Sequence, residues 1–577
     1  MTRLATSAVV LTASLVVASA TPPADVVQGE VGTRMDTYLT RLVPFGWSGA
    51  VLVARDGEVV LNKGYGLANR AQHLPWTSDT VGNIGSITKQ FTAAAILKLE
   101  AMGKLSVTDR MSAYLPEVPA DKAGITLHML LTHTAGFQGD LGGTDDQPIG
   151  RDELVKVVLA SRLAHPPGET FEYSNEGYSL LAAIVERVSG ESYEQFLNDH
   201  LFGPAGMTRT GYLLPKYTDA EIAHGYRPDG TEWGTVYKRG WRADGPGWYL
   251  RGNGGLQSTT GDLYKWHLAL AAETVLPAAE RTKFFTPYVQ TPGGDRYAYG
   301  WGVDETPRHT TVISHNGGNG IYFADFRRYV DEKTVIIALG NTPVVPATFI
   351  AMSRLEPLVF NPSMVPMPPA VVSVPVAARA ELAGTYAIAG GGTLTIAATP
   401  AGLRADTTDA KLLAALTGLV PPGGRFADLE QRTAAIVAAA AKGDFQPVVD
   451  AFNGGRTLAQ VRAGQGQDWQ DWHAEFGDFK GFDLLGVTFT EGDPTVVVQV
   501  RFARGAMIAL YPWGPRRLLG FMGQRSLPSP DFLPESGTSF VRFDYRRPNP
   551  VRLTFTRDGS GMTMTITSEG GEIIARR

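Results

Sequence analysis

Pro362, Pro366, Pro368, Pro369 and Pro375 crowd into one short interval, and this interval most constrains what the chain can fold into. Proline fixes one backbone dihedral and removes a hydrogen-bond donor, so such a run continues neither a helix nor a central strand. Residues 361–378 therefore read as a semi-rigid linker with a folding unit on each side. At 577 residues the chain is also too long for a single hydrophobic core.

Before the linker, residues 26–360 mix both kinds of element. Ser48 to Ala54 and Glu58 to Lys63 flank Arg55-Asp56-Gly57, the pattern of a hairpin. Helical spacing follows from Ile87 to Met102, from Gly177 to Val188 and from Asp262 to Ala272. Strand patterns return at Thr311 to Ser314, Tyr322 to Phe326 and Thr334 to Leu339, with a glycine-rich turn expected after Ser314. Strands at both ends with helices between them predict an α+β domain whose sheet uses both termini. After the linker, residues 379–424 and 526–577 carry short alternating strands, a barrel-like pattern. Residues 425–525 interrupt them with an alanine-rich helix, Trp469 and Trp472 three apart, and further strands, which predicts a nested α+β insert. The tryptophan spacing reads as helix core rather than as a ligand platform.

The chain begins Met1-Thr2-Arg3, continues apolar from Leu4 to Val17, and reaches Ala18-Ser19-Ala20. A basic start, a short apolar centre and a small-x-small end predict a signal peptide over residues 1–20. The apolar run is short for an uncleaved anchor, which needs about 20 residues, so an exported chain with no membrane span after cleavage is expected, periplasmic or extracellular. The chain contains no cysteine, which excludes disulfides, thiolate catalysis and cysteine-bound zinc. A net charge of −5, with no basic cluster interleaved with aromatics, gives no reason to expect a nucleic-acid partner.

Three short motifs carry chemistry. In Ser86-Ile87-Thr88-Lys89 the serine and lysine share one face of an opening helix, so an amine can reach the hydroxyl. A serine needs such a base to become a nucleophile, and a lysine serves only when burial makes it neutral. Standing alone, the same residues would be a helix cap with a solvated first turn. Tyr173-Ser174-Asn175 puts a phenol and an amide two apart, on one face of an extended segment; the bland reading is a core tyrosine and an Asx turn. His315-Asn316-Gly317-Gly318 offers a histidine able to donate to substrate or to Tyr173, and glycines that admit close approach; alone it would be a hairpin turn. A backbone N–H of Gly318 beside that of Ser86 would make an oxyanion hole. His128 and His133 are expected to hydrogen-bond structure; their spacing lacks the metalloprotease pattern, and no metal or cofactor is expected. There is neither a P-loop nor a G-x-S-x-G elbow.

These motifs, in this order, resemble those of the beta-lactamase-related serine hydrolases: class C beta-lactamases, D,D-peptidases, D-aminopeptidases and family VIII esterases. The resemblance spans roughly residues 30–360 and includes Leu130 to Phe137 (LLTHTAGF), Pro167 to Tyr178 (PGETFEYSNEGY), Leu201 to Met207 (LFGPAGM) and Gly254 to Thr259 (GGLQST). It implies a beta-lactamase/transpeptidase-like fold, an antiparallel sheet flanked by helices plus an all-helical lobe. It also implies an acyl-enzyme mechanism with Ser86 as nucleophile, Lys89 as base, Tyr173 as acid/base and Asn175 and His315 in support, with Asn316, Gly317 and Gly318 at the substrate. The third motif departs from the lysine of beta-lactamases and transpeptidases, and His315 removes the permanent cation that would grip an antibiotic's carboxylate. The C-terminal region resembles the lipocalin-like β extensions of some of these hydrolases, and residues 425–525 resemble the cone-shaped nuclear-transport-factor fold.

The expected function is an exported serine hydrolase acting on a small ester or a D-amino-acid peptide or amide. A D,D-carboxypeptidase or weak beta-lactamase is the alternative, and a catalytically silent binding or sensor protein that keeps the fold is the alternative of another class. Oligomeric state is left open.

Overall fold

The computed structural model describes residues 25–577 apart from 138–142, 343–345, 390, 453–455, 491–492, 515–516, 526, 528, 546–548 and 560. The signal segment expected over residues 1–20 lies outside the described residues. The chain divides into two compact units, one ending at Val365 and the other spanning Pro366–Arg577. The division falls within the proline-rich interval.

Among the described residues the first unit is built on a nine-stranded sheet. Its order is Val26–Val27, Glu58–Tyr65, Gly49–Arg55, Thr334–Gly340, Phe323–Tyr329, Thr311–Gly318, Gly302–Glu305, Arg296–Tyr297 and Val289–Gln290. The pairing of Gly49–Arg55 with Thr334–Gly340, in register Val51 to Ala338 and Val53 to Ile336, joins the two ends of the unit in one antiparallel sheet. Both strands read as near-continuous apolar runs because both of their faces are covered. The hairpin between Gly49–Arg55 and Glu58–Tyr65 turns at Asp56 and Gly57, both at positive φ (51° and 84°), which suits the right-handed twist of the strands.

Thr88–Ala101 is buried on almost every side, its polar Thr88, Lys89, Gln90 and Thr92 included, so it runs through the core rather than over the surface. It packs on Asn175–Ser189, and Phe91 holds its far side through ring contacts with Trp266 (4.8 Å) and Phe202 (5.2 Å). Helices Leu127–Leu131, Arg151–Ala160, Asn175–Ser189 and Tyr193–Leu197 form the lobe between the sheet's two halves. No helix among the described residues is long and apolar enough to cross a membrane.

Two boundaries differ from expectation where the site is built. The helix expected from Gly177 starts at Asn175, because the Ser174 side chain caps it by accepting from the Gly177 N–H. The glycine-rich turn expected after Ser314 is strand: Thr311–Gly318 stays paired with Phe323–Tyr329 as far as Gly318 opposite Phe323.

Among the described residues the second unit contains a closed barrel of eight antiparallel strands, from Gly384–Ile388 to Gly571–Arg576, shut by pairing Ala387 with Arg576 and Ile388 with Ala575. Alternation supplies its interior; Leu394 and Ile396 point inward from one strand, Met564 and Ile566 from another. Between Leu403–Asp406 and Asp531–Pro534 the chain leaves the barrel to build a four-stranded sheet with helices Ala427–Ala440 and Gln467–Phe476. Trp469 and Trp472 lie in the core of this nested part, against Phe502. Its longest strand, Phe479–Thr490, had no clear alternation in sequence. Gly481 and Gly486, at φ 138° and 129°, put two bulges into it, and each bulge shifts the period of its side chains.

Candidate active site

Ser86 stands in a short turn, Gly85–Ile87, that runs straight into the buried Thr88–Ala101 helix. Gly85 holds φ at +49°, and Asn83 fixes it by accepting its N–H at 3.1 Å. The turn is pressed against the edge of Thr311–Gly318. A Cβ on Gly317 would lie 2.1 Å from the Ile84 carbonyl oxygen and 2.7 Å from the Ser86 nitrogen; one on Gly85 would lie 2.6 Å from the Gly318 nitrogen. All are backbone atoms, which cannot swing aside. Glycine at these positions brings the amides of Ser86 and Gly318 to one place.

Lys89 is fully buried one turn further along. Its Nζ lies 3.0 Å from Ser86 Oγ, 2.7 Å from Asn175 Oδ1 and 2.9 Å from the Asn253 carbonyl oxygen. Burial lowers its pKa to about 7, against the opposing pull of Asp145 and Glu176. A neutral amine keeps two N–H donors for Asn175 and Asn253 and turns its lone pair to the Ser86 hydroxyl. Tyr173 closes the other side. Its ring lies 4.7 Å beneath the Lys89 amine, its hydroxyl is hydrogen-bonded to Ser86, and burial raises its pKa well above the usual phenol range, so it holds its proton. The capped helix start explains Asn175: it opens the helix and turns its amide toward Lys89, while Tyr173 remains on the extended segment before the cap.

His315 is close by, but its two nitrogens are already committed. Nδ1 lies 2.6 Å from the Asn316 carbonyl oxygen and Nε2 lies 3.1 Å from the Tyr297 hydroxyl. Burial and the Lys89 charge lower its pKa to about 4. The ring is therefore a neutral support and not the free donor expected from sequence. Asn316 differs from expectation as well: it is exposed and does not line the cleft beside Ser86. Gly318 and Asn319 do line it, with Ser86, Asn175 and the aromatic walls Trp233 and Trp241. Arg239 on that wall stacks 4.3 Å over Trp233 and donates to its carbonyl.

Three contributors escaped the sequence reading. Asn253 acts through its backbone carbonyl, which no side-chain pattern reveals; the GGLQST segment beside it was the only hint. Tyr297 has no motif of its own. His133 hydrogen-bonds structure as expected, accepting from the Ser174 N–H at 3.0 Å; its stacking on the Tyr173 ring at 4.3 Å is what the sequence did not disclose. His128 hydrogen-bonds Tyr299 at 2.7 Å. Among the described residues no group of three or more His, Asp or Glu is placed to hold a metal ion.

Residues 46–358 match the Beta-lactamase family model. Over 274 residues the chain is 35% identical to PbpX of Bacillus subtilis (strain 168), which covers 48% of this chain and 65% of that protein. It is 30% identical over 320 residues to a penicillin-binding protein of the same organism, covering 51% of this chain and 68% of the relative. The chain thus spans about two thirds of these relatives' own length. In three dimensions it is similar to the D-amino acid amidase from Ochrobactrum anthropi SV3, with a TM-score of 0.51 and 20% identity, over 58% of this chain and all of that one; at this identity the likeness speaks for the fold. The fold, the ordered motifs and the family match agree, and the chain belongs to the beta-lactamase family of serine hydrolases.

Proposed function

We propose that this protein is an exported serine hydrolase that opens small esters or D-amino-acid amides through an acyl-enzyme. The observation that carries the reading is the buried Lys89 amine, 3.0 Å from Ser86 Oγ with a pKa lowered to about 7. As Ser86 Oγ attacks the substrate carbonyl carbon, neutral Lys89 takes the hydroxyl proton. The oxygen of the tetrahedral intermediate draws on the N–H groups of Ser86 and Gly318, the largest electrostatic contribution in such reactions. Tyr173, kept protonated by burial, delivers its proton to the departing oxygen or nitrogen and is reprotonated from Lys89. Water then enters in place of the leaving group and the same transfers run backward, returning Ser86 and an acid. Asn175 holds Lys89 in line. The basic, apolar start of the chain supports export.

Two outcomes follow. Only neutral Lys89 accepts the proton, so kcat/KM for an ester rises with pH through a limb near pH 7 and levels above it; a stopped-flow pH series measures it. Gly317→Ala drives a methyl into the Ile84 carbonyl, so the Ser86 turn shifts and kcat/KM falls by about 100-fold, an effect of the size expected for misplacing reacting groups by about 1 Å.

A short-chain p-nitrophenyl ester, D-Ala-p-nitroanilide and nitrocefin, each run against Ser86→Ala, test the reading. Turnover of the ester or anilide that depends on Ser86, with slow nitrocefin hydrolysis, is expected, because neutral His315 offers no cation to an antibiotic's carboxylate. Rapid nitrocefin turnover contradicts that specificity, and unchanged turnover in Ser86→Ala contradicts the mechanism. Similarity to a penicillin-binding protein favours a D,D-carboxypeptidase as second reading; release of D-Ala from a D-Ala-D-Ala peptide faster than ester cleavage would select it.

A further inference from the structure

A run of hydrogen bonds behind Tyr173 has a direction that its own chemistry dictates. The Ser174 N–H lies 3.0 Å from His133 Nδ1. A backbone N–H only donates, so Nδ1 is the acceptor and the His133 proton sits on Nε2. That Nε2–H meets the Tyr297 oxygen at 3.3 Å. At the far end, His315 Nδ1 lies 2.6 Å from the Asn316 carbonyl oxygen, which only accepts, so this ring carries its proton on Nδ1. Its bare Nε2 then faces the same Tyr297 oxygen at 3.1 Å, and the single phenol proton belongs between them. Tyr178 is also within reach of the Tyr297 hydroxyl. Tyr178 donates its own proton to the Leu131 carbonyl at 2.8 Å, which leaves its oxygen a competing acceptor; but were the Tyr297 proton directed there, two lone pairs would face each other across the 3.1 Å between Tyr297 and His315. The two imidazoles are thus neutral and of opposite tautomer.

The members come from three distant segments and are buried: His133 is 2%, Tyr297 6% and His315 8% exposed. His133 also holds φ at +57°, a left-handed conformation uncommon for histidine, kept only where the surroundings over-determine it. From that position its ring lies 4.3 Å from the Tyr173 ring, 29° from parallel, and its Nδ1 fixes the residue that caps the Asn175 helix. Among the described residues, Lys89 is the charged side chain that acts on both rings.

We propose that His133 and Tyr297 are positioning residues: the one-way chain from Ser174 N–H through His133, Tyr297 and His315 to the Asn316 carbonyl holds the Tyr173 ring and the Ser174–Asn175 cap against Lys89, and keeps both nitrogens of His315 closed to substrate. It rests on the acyl-enzyme reading, since Tyr173 and Asn175 are the groups positioned.

Nuclear magnetic resonance of the full chain with isotope-labelled histidine nitrogens reads the tautomers directly. Signals are assigned by their loss in His133→Asn and His315→Asn. His133 is expected protonated on Nε2 and His315 on Nδ1, neither titrating between about pH 6 and 8. His315 protonated on Nε2, or either ring cationic at pH about 7, overturns the proposal. Kinetics add an independent arm. Tyr297→Phe lowers kcat about 10- to 100-fold with KM within about 3-fold. His133→Asn keeps more activity than His133→Leu, because asparagine accepts from the Ser174 N–H and tolerates positive φ. Wild-type kcat in Tyr297→Phe, or equal losses in the two His133 variants, overturns it. Failure of the acyl-enzyme reading shows separately, as full activity in Ser86→Ala, and the tautomer measurement does not depend on turnover.

Discussion

Ser86→Ala abolishes labelling by a fluorophosphonate and lowers ester turnover by about 10⁴-fold or more, the scale seen when a nucleophile is deleted from a concerted set. The side chain removed is small. It lies in a three-residue turn whose path is set by Gly85, Asn83 and the press of Gly317, all untouched by the change. The variant therefore folds, and its thermal midpoint stays close to that of the wild type. The loss is chemical: no oxygen remains for Lys89 to deprotonate or for the acyl group to occupy. Residual turnover reports what the amides of Ser86 and Gly318 contribute to water attack alone.

Lys89→Met is the second large effect. Methionine fills the same buried volume without a base, and ester kcat/KM falls by about 10³-fold, within the range attributed to general base catalysis. The rise in rate through pH 7 disappears with it. Stability carries an independent sign. The folded pKa of Lys89 lies below its ordinary 10.5, at about 7, so between these values the unfolded chain holds a proton that the folded chain lacks. Wild-type stability accordingly rises with pH across that window through this group, and Lys89→Met loses that part of the rise. The variant also leaves Asn175 Oδ1, Ser86 Oγ and the Asn253 carbonyl without their amine, a cost of about 1–3 kcal/mol for each group that finds no new partner. Urea unfolding at several pH values separates the two contributions.

How far the site could be read in advance follows from where each interaction lives. Ser86 and Lys89 are three apart on a helix, so helical geometry alone brings them together. Asn175 was legible as an amide near Tyr173 but was expected on an extended segment; the Ser174 cap, a local hydrogen bond, starts the helix there instead. Gly317 and Gly318 were compatible with a turn, and tertiary packing keeps them in the strand, where Gly317 is needed for its closeness to Ile84 and not for bending. Tyr297 and the Asn253 carbonyl were invisible because their partners lie far away in sequence: Tyr297 meets His133 across 164 positions, and Asn253 meets Lys89 across the same number. In the first unit the Asp56–Gly57 hairpin and the strand Thr334–Gly340 announced a sheet drawn from both ends, and the pairing of Val51 with Ala338 realises it. In the second unit alternation disclosed the barrel strands, whereas bulges at Gly481 and Gly486 broke the period of Phe479–Thr490 and hid it.

The most direct measurement is mass spectrometry of the intact protein quenched during turnover of a slow ester, followed by peptide mapping. A single acyl adduct on the peptide containing Ser86, absent from Ser86→Ala and slow to form in Lys89→Met, is the predicted result. Turnover without any adduct under conditions that trap a known acyl-enzyme, or an adduct on a different residue, would contradict the account.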